Sequence, residues 1–164
     1  MQNLLELERN NIEHLLGVRA YVLDHQPFDV RSCLAAQNRA FSNLEFLEQR
    51  VAHIQPGDLY HLTDPFNCQF LVLRLDDCLL FCGPYLNEIP ERSQIHQLLA
   101  ANHLAYSQQL ALSTYLSFVP VCEDLPIFSA LQLLFRAVEG PAAQLNYQHF
   151  RHLPAETAQL PYSP

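Results

Sequence analysis

The chain has 164 residues, 49% of them apolar and 16% charged, with a formal net charge of −8. That length suits one domain, or one domain with a tail, and lets roughly 70% of the unfolded surface be buried without a metal or disulfide. Wholesale disorder is excluded, and no apolar run approaches the ~20 residues of a membrane span.

Residues 3–16 predict a helix, with Leu5, Ile12, Leu15 and Leu16 on one stripe and Gly17 as its stop. Val18 to Leu23 alternates as a strand, and Asp24-His25-Gln26-Pro27 is a turn. Phe28 to Leu34 is expected as a second strand of a hairpin. A helix from about Gln37 to Ile54 follows, marked by Phe41, Leu44, Leu47, Val51 and Ile54 and ended by Gln55-Pro56-Gly57.

Residues 58–86, DLYHLTDPFNCQFLVLRLDDCLLFCGPYL, organise the rest. Leu59, His61 and Thr63 alternate with Tyr60 and Leu62. Asp64-Pro65-Phe66-Asn67 has the residues of a type I turn. Cys68 to Leu75 is an apolar run rich in β-formers, Asp76-Asp77 breaks it, and Cys78 to Cys82 forms the next run before Gly83-Pro84. The pattern predicts a three-stranded antiparallel meander that needs cover on at least one face.

The remainder is expected to be helical. Pro90 starts a helix buried through Ile95, Leu98 and Leu99. Asn102-His103 breaks the chain, and a helix from about Tyr106 to Phe118 ends before Pro120. Asp124 is expected to cap a last helix with the stripe Ile127, Leu131, Leu134, Phe135 and Val138, stopped by Gly140-Pro141. Residues 141–164, broken by prolines, are expected to be a linker or tail.

All nine basic residues are Arg, spread from Arg9 to Arg151. With no basic stripe and an acidic balance, the chain is expected to bind neither DNA nor an anionic membrane. The start, MQNLLELERN, lacks the basic and apolar regions of a signal peptide, so a cytoplasmic protein is the expectation. The five cysteines, at 33, 68, 78, 82 and 122, include no CxxC. Cys78 and Cys82 would sit about 13 Å apart along one strand, too far for a disulfide. Buried, reduced thiols are expected.

No catalytic signature is present: there is no GxSxG, HExxH or GxGxxG. The glycines at 17, 57, 83 and 140 stand at element ends, and none makes a phosphate loop. His61 and Asp64 lie three apart on a strand, which argues against a direct pair. Asp64 is expected to hold the turn through its side chain, and His61 to be a hydrogen-bonded sheet residue or, less often, a base or ligand. His149 and His152 have an x2 spacing with no further ligand nearby, so no metal site is expected. Tyr85 follows a Gly-Pro strand exit and is either a simple exit residue or the rim of a ligand mouth. Arg74 stands in an apolar strand. It is expected to point outward as a surface charge; pointing inward, it would need an anion.

The strings YHLTDPFNCQFLVLRL, LLFCGPYL, IPERSQIHQLL and YLSFVPVCEDLPIFSALQLLF together resemble the N-terminal sensory region of a subgroup of AraC-type bacterial transcription regulators. The shared motifs are Asp64-Pro65-Phe66, Gly83-Pro84-Tyr85, and Pro120 with Glu123-Asp124, and the resemblance covers about residues 5–140. It implies an α+β, PAS- or GAF-like domain: a small antiparallel sheet of about five strands with flanking helices. Residues 1–140 would form the sensing and dimerisation domain. Residues 141–164 would lead toward a DNA-binding helix-turn-helix part, which nothing after Gly140 is basic or long enough to supply. The expected partners are a small-molecule effector and a second copy of the chain, with no cofactor and no enzyme activity. Tyr60, His61, Phe70, Arg74, Phe81 and Tyr85 are the expected ligand-binding residues. The alternative is a purely structural dimerisation domain without a ligand. An enzyme using His61, Asp64 or a cysteine is the weakest reading, because no motif supports it.

Overall fold

Alternating side chains in the predicted meander set the architecture, because both sides of its strands find cover. A computed structural model describes residues 2–34, 41 and 43–152. In chain order it has helix α1 (Gln2–Leu16), strand β1 (Ala20–Leu23), a 3-10 turn (Val30–Cys33) and helix α2 (Leu44–Ala52). Strands β2 (Asp58–Thr63), β3 (Gln69–Arg74) and β4 (Leu79–Tyr85) follow. Helices α3 (Arg92–Ala101), α4 (Gln109–Phe118) and α5 (Asp124–Glu139) precede a last strand, β5 (Asn146–Arg151). The chain is α+β, with one open five-stranded sheet in the order β1-β4-β3-β2-β5.

β2, β3 and β4 pair antiparallel as the meander predicts, and β1 pairs antiparallel with β4 rather than with Phe28–Leu34. β5 pairs parallel with β2, so the sheet is mixed. Every residue of β2, β3 and β4 is buried. Tyr60, Leu62, Phe70, Val72, Leu79 and Phe81 pack on one face under α2, α3 and α4. Leu59, Leu71, Leu73, Leu80 and Cys82 pack on the other against α1 and α5. Two-sided burial explains why Cys68 to Leu75 is nearly all apolar rather than alternating with polar residues.

The turn between β2 and β3 forms as the sequence predicts. Asp64 Oδ1 accepts from the backbone N–H of Phe66 at 2.8 Å and of Cys68 at 3.0 Å. Gly83 marks an irregularity in the β3–β4 register. Its φ is +133°, and a Cβ there would lie 2.7 Å from the Gln69 carbonyl oxygen. No L side chain fits that conformation or that gap.

Three expectations change. Phe28–Leu34 is not a strand: Asp29 Oδ1 accepts from Ser32 N at 3.3 Å, and Ser32 Oγ donates to the Asp29 carbonyl at 2.7 Å. That local bonding turns the chain into the 3-10 segment and buries Val30, Cys33 and Leu34. Asp124 is the first helical residue of α5 rather than its cap, which is Glu123. Residues 146–151, within the expected tail, form β5. They are held by Asn146 Nδ2 donating to Asp58 Oδ1 at 2.8 Å and by backbone bonds from Asn146 N to Gly57 and from His152 N to Thr63. The expected start of the long helix, 37–40 and 42, lies outside the described residues. Within the described residues, α2 begins after Asn43, whose Oδ1 accepts from Phe46 N at 3.0 Å.

Candidate functional site

The six residues expected to bind a ligand do not share one pocket. The pleat sends Tyr60, Phe70 and Phe81 to the face under α2, α3 and α4, and His61 and Tyr85 to the opposite face under α5. Phe70 and Phe81 have no exposure, and their rings lie 5.4 Å apart. Tyr60 packs edge-on against Phe150 of β5 at 4.9 Å. These three are core residues. Arg74 overturns the outward expectation: it is only 8% exposed, and its guanidinium donates to the backbone carbonyls of Leu75, Ile54 and Asp76. Neutral oxygens satisfy its N–H groups, which is how the chain tolerates a buried cation without a carboxylate.

His61 and Tyr85 belong to a polar cluster where β2, β3 and β5 meet the start of α5. His61 Nε2 lies 2.7 Å from Gln69 Oε1, and Thr63 Oγ1 donates to that same oxygen at 2.7 Å. An amide oxygen only accepts, so His61 carries its proton on Nε2. His61 Nδ1 is then the acceptor for the Tyr147 hydroxyl at 3.0 Å. The Thr63 proton is committed to Gln69, so the contact with His149 Nε2 at 2.8 Å runs from His149 to Thr63. Gln69 Nε2 closes the chain on the Asn67 carbonyl at 3.0 Å. One buried amide therefore sets the tautomers of two histidines.

Parallel pairing places His149 directly beside His61, and the rings stack at 4.1 Å, 11° from parallel. Burial lowers the His149 pKa below its usual value of 6.5, and coupling to the His61 ring and the Arg151 charge lower it further. Tyr85 runs under the cluster and donates to Asp124 Oδ1 at 2.6 Å. Burial, and then that carboxylate, raise the Tyr85 pKa, so the phenol stays protonated. Asn87 Nδ2 donates to the same Asp124 oxygen at 3.0 Å, and His61 Nε2 stands 3.8 Å from it. Among the described residues, Asp124 Oδ2 accepts no hydrogen bond, and the side chain is 42% exposed.

His61, Leu71, Asp124, Leu125, Phe128 and Tyr147 line a cavity of about 380 Å³ open to solvent. Phe128 and Tyr147 meet edge to face at 5.6 Å and form its apolar corner. The arrangement offers a fixed imidazole, a carboxylate oxygen open to a donor, and an aromatic wall. It offers no activated nucleophile. The Cys33 and Cys82 thiols are pushed up to about 12 by burial, and Cys68 Sγ faces Tyr115 at 3.8 Å rather than a histidine. Among the described residues, no group of three or more His, Cys, Asp or Glu side chains could hold a metal ion. No helix among them is long and apolar enough to cross a membrane.

Sequence reasoning missed Thr63, Gln69, Asp124, Phe128, Tyr147 and His149. One signal was available: NYQHFR alternates Tyr147, His149 and Arg151 against Gln148 and Phe150, the period of a strand. No protein-family model matches the chain, and no curated protein or solved structure is significantly similar to it.

Proposed function

We propose that this chain is the effector-sensing and dimerisation domain of an AraC-type transcription regulator, acting in the cytoplasm, with the cavity under α5 as its effector pocket. The observation that carries the reading is the pairing of His61 and Asp124 with the Phe128–Tyr147 corner on a rigid sheet. A concave, mostly apolar site with few placed polar groups is what small-molecule recognition needs. The open oxygen of Asp124 calls for a ligand with a hydroxyl or ammonium donor. The corner calls for an apolar body beside that donor. The effector would act by favouring one arrangement of α5 over the sheet, since the N-terminal end of α5 supplies Asp124, Leu125 and Phe128. The small α+β sheet with helices on both faces is compatible with the PAS- or GAF-like architecture that the motif resemblance implies.

A thermal-shift screen against sugars, amino acids and amines tests the reading. The expected result is a saturable rise in Tm for at least one hydroxyl- or ammonium-bearing compound, lost in both Asp124→Asn and Phe128→Ala. A panel without a hit, or a hit unaffected by both substitutions, counts against it.

A second reading, a structural dimerisation domain, draws on the exposure of Leu125 and Leu133 on α5, at 67% and 66%. Sedimentation of the wild-type chain and of Leu133→Glu separates the two. A dimer that dissociates in the variant, with no ligand response in the wild type, favours the structural reading.

A further inference from the structure

On the opposite face of the sheet, Arg74 stands in the wall of a second cavity, about 960 Å³, between α2 and the turn that follows β1. Its guanidinium forms no ion pair with any carboxylate among the described residues. Besides the three backbone carbonyls, it is met by the side chain of Gln26. With its amide oxygen turned inward, as its neighbours require, Gln26 accepts from Nη1 at 3.1 Å and from Nη2 at 2.7 Å. A neutral amide oxygen thus sits where a carboxylate would make charge-assisted bonds to the same two nitrogens. Such bonds are roughly twice as strong as neutral ones.

We propose that this cavity binds a small monocarboxylate with an apolar body, its carboxylate replacing the Gln26 amide on Arg74. Gln26 is exposed, so its side chain has solvent to swing into when a ligand displaces it, at the loss of its bonds to Arg74. Beyond Arg74 and Gln26 the walls are mixed: Phe28, Val51, Ile54 and Pro56 give an apolar side, and Glu48 and Gln55 a polar one. The Arg74 guanidinium already lies 5.1 Å from the centre of the Phe28 ring. The apolar side favours an alkyl or aryl acid over a bare inorganic anion, which would leave it unfilled. Glu48, the acidic residue of the lining, is engaged by Arg31 at 3.5 Å. The buried charge explains the ligand class: a guanidinium removed from water gains most from a partner that cancels its charge.

Titration calorimetry and thermal shift on the whole chain with sodium benzoate, benzamide and inorganic phosphate test this. Benzoate is expected to bind saturably and raise Tm, while benzamide and phosphate do neither. Arg74→Gln alone is uninformative, because a buried residue can be lost with the fold. The exposed position 26 carries the test. Gln26→Ala removes the placeholder and is expected to tighten benzoate binding about tenfold, the worth of one such hydrogen bond. Gln26→Glu supplies its own carboxylate and is expected to raise Tm and weaken benzoate at least about tenfold. Equal responses to benzoate and benzamide would overturn the proposal, as would benzoate binding unchanged in Gln26→Glu. A benzoate response lost in Asp124→Asn but kept in Gln26→Glu would put the acid under α5 and overturn it equally.

Discussion

The two faces of the sheet are built from the same strands, yet the middle of one is dry, with the Arg74 cavity at its margin, and the other opens into a polar cluster. Under α2, α3 and α4 the strand residues are Tyr60, Leu62, Phe70, Val72 and Phe81. Under α5 the same strands offer His61, Thr63, Gln69 and Tyr85 at one end and leucines at the other. The difference lies in the cover. On the dry side, helices and the 3-10 segment cover the middle of the strands and leave the Arg74 cavity at the margin. On the other, α5 begins directly above His61, so its first turn leaves a gap that Asp124, Phe128 and Tyr147 surround. Each strand thus supplies core on one side and chemistry on the other, and a one-residue slip would exchange them.

The sharpest way to break the dry side is to empty it. Phe81 has no exposure and touches Phe70, so Phe81→Ala leaves a cavity that the surrounding sheet can collapse only in part. A loss of about 3–5 kcal/mol is expected in urea unfolding. If instead the variant unfolds like the wild type, this face is not a packed core.

The dry side also hides a buried carboxyl oxygen without a partner, besides His152 Nδ1. Asp64 Oδ2 is buried without a hydrogen-bond partner, while Oδ1 takes both backbone donors of the turn. Burial pushes the carboxyl from 3.8 up to about 7, against the pull of those two N–H groups. The folded state therefore holds a proton that the unfolded chain has released between about pH 4 and pH 7. Stability from this group is full below that window and is lost as pH rises through it, then levels. Asp64→Asn removes the ionisation and should flatten the fall, which amounts to about 4 kcal/mol at most. Unfolding curves from about pH 4 to about pH 8 decide it: a wild-type profile already flat across that range would mean the acid is not held neutral.

On the wet side the corresponding test is Gln69→Leu. The substitution keeps the volume but strands the Nε2–H of His61 and the hydroxyl of Thr63, both buried. A loss of about 1–3 kcal/mol is expected. NMR of the histidine ring nitrogens should show a change of His61 tautomer that Phe81→Ala does not cause. A smaller loss with no change of tautomer would mean the amide is not what orders the cluster.

The contrast between the faces also marks what was legible in the sequence. The meander and its D-P-F turn depend on local turn chemistry and period-two alternation, and both are written in residues 58–86. The Phe28–Leu34 segment misled because its alternation looks strand-like, while Asp29 and Ser32 bond their own backbone. β5 was hidden by the prolines around it and by being an edge strand, whose mostly exposed side chains carry no apolar stripe. The site was hidden for a different reason. Gln69, Asp124, Tyr147 and His149 come together only because β5 inserts parallel to β2, a pairing of residues 88 apart, such as His61 with His149, that no local pattern announces. Tyr60, Phe70 and Phe81 were drawn toward a pocket because aromatic residues serve cores and binding sites alike.

The smallest effect belongs to the imidazole pair that this parallel insertion creates. His149 stacks on His61, and its pKa is lowered first by burial, then by coupling to the His61 ring and by the Arg151 charge. The folded chain therefore takes up a proton at position 149 less readily than the unfolded chain. Stability from this group is full above about pH 6.5 and is lost as pH falls below it. The ring is partly open to solvent, so screening keeps the loss small. His149→Gln preserves a donor for Thr63 Oγ1 and removes the titration, so its unfolding midpoint should fall less than the wild type's between about pH 7 and about pH 5. The ring protons of His61 should shift in the same titration, because protonating one of two rings 4.1 Å apart changes the field on the other. Equal acid sensitivity in variant and wild type, with the His61 signals unmoved, would show that β5 does not hold the two rings together in solution.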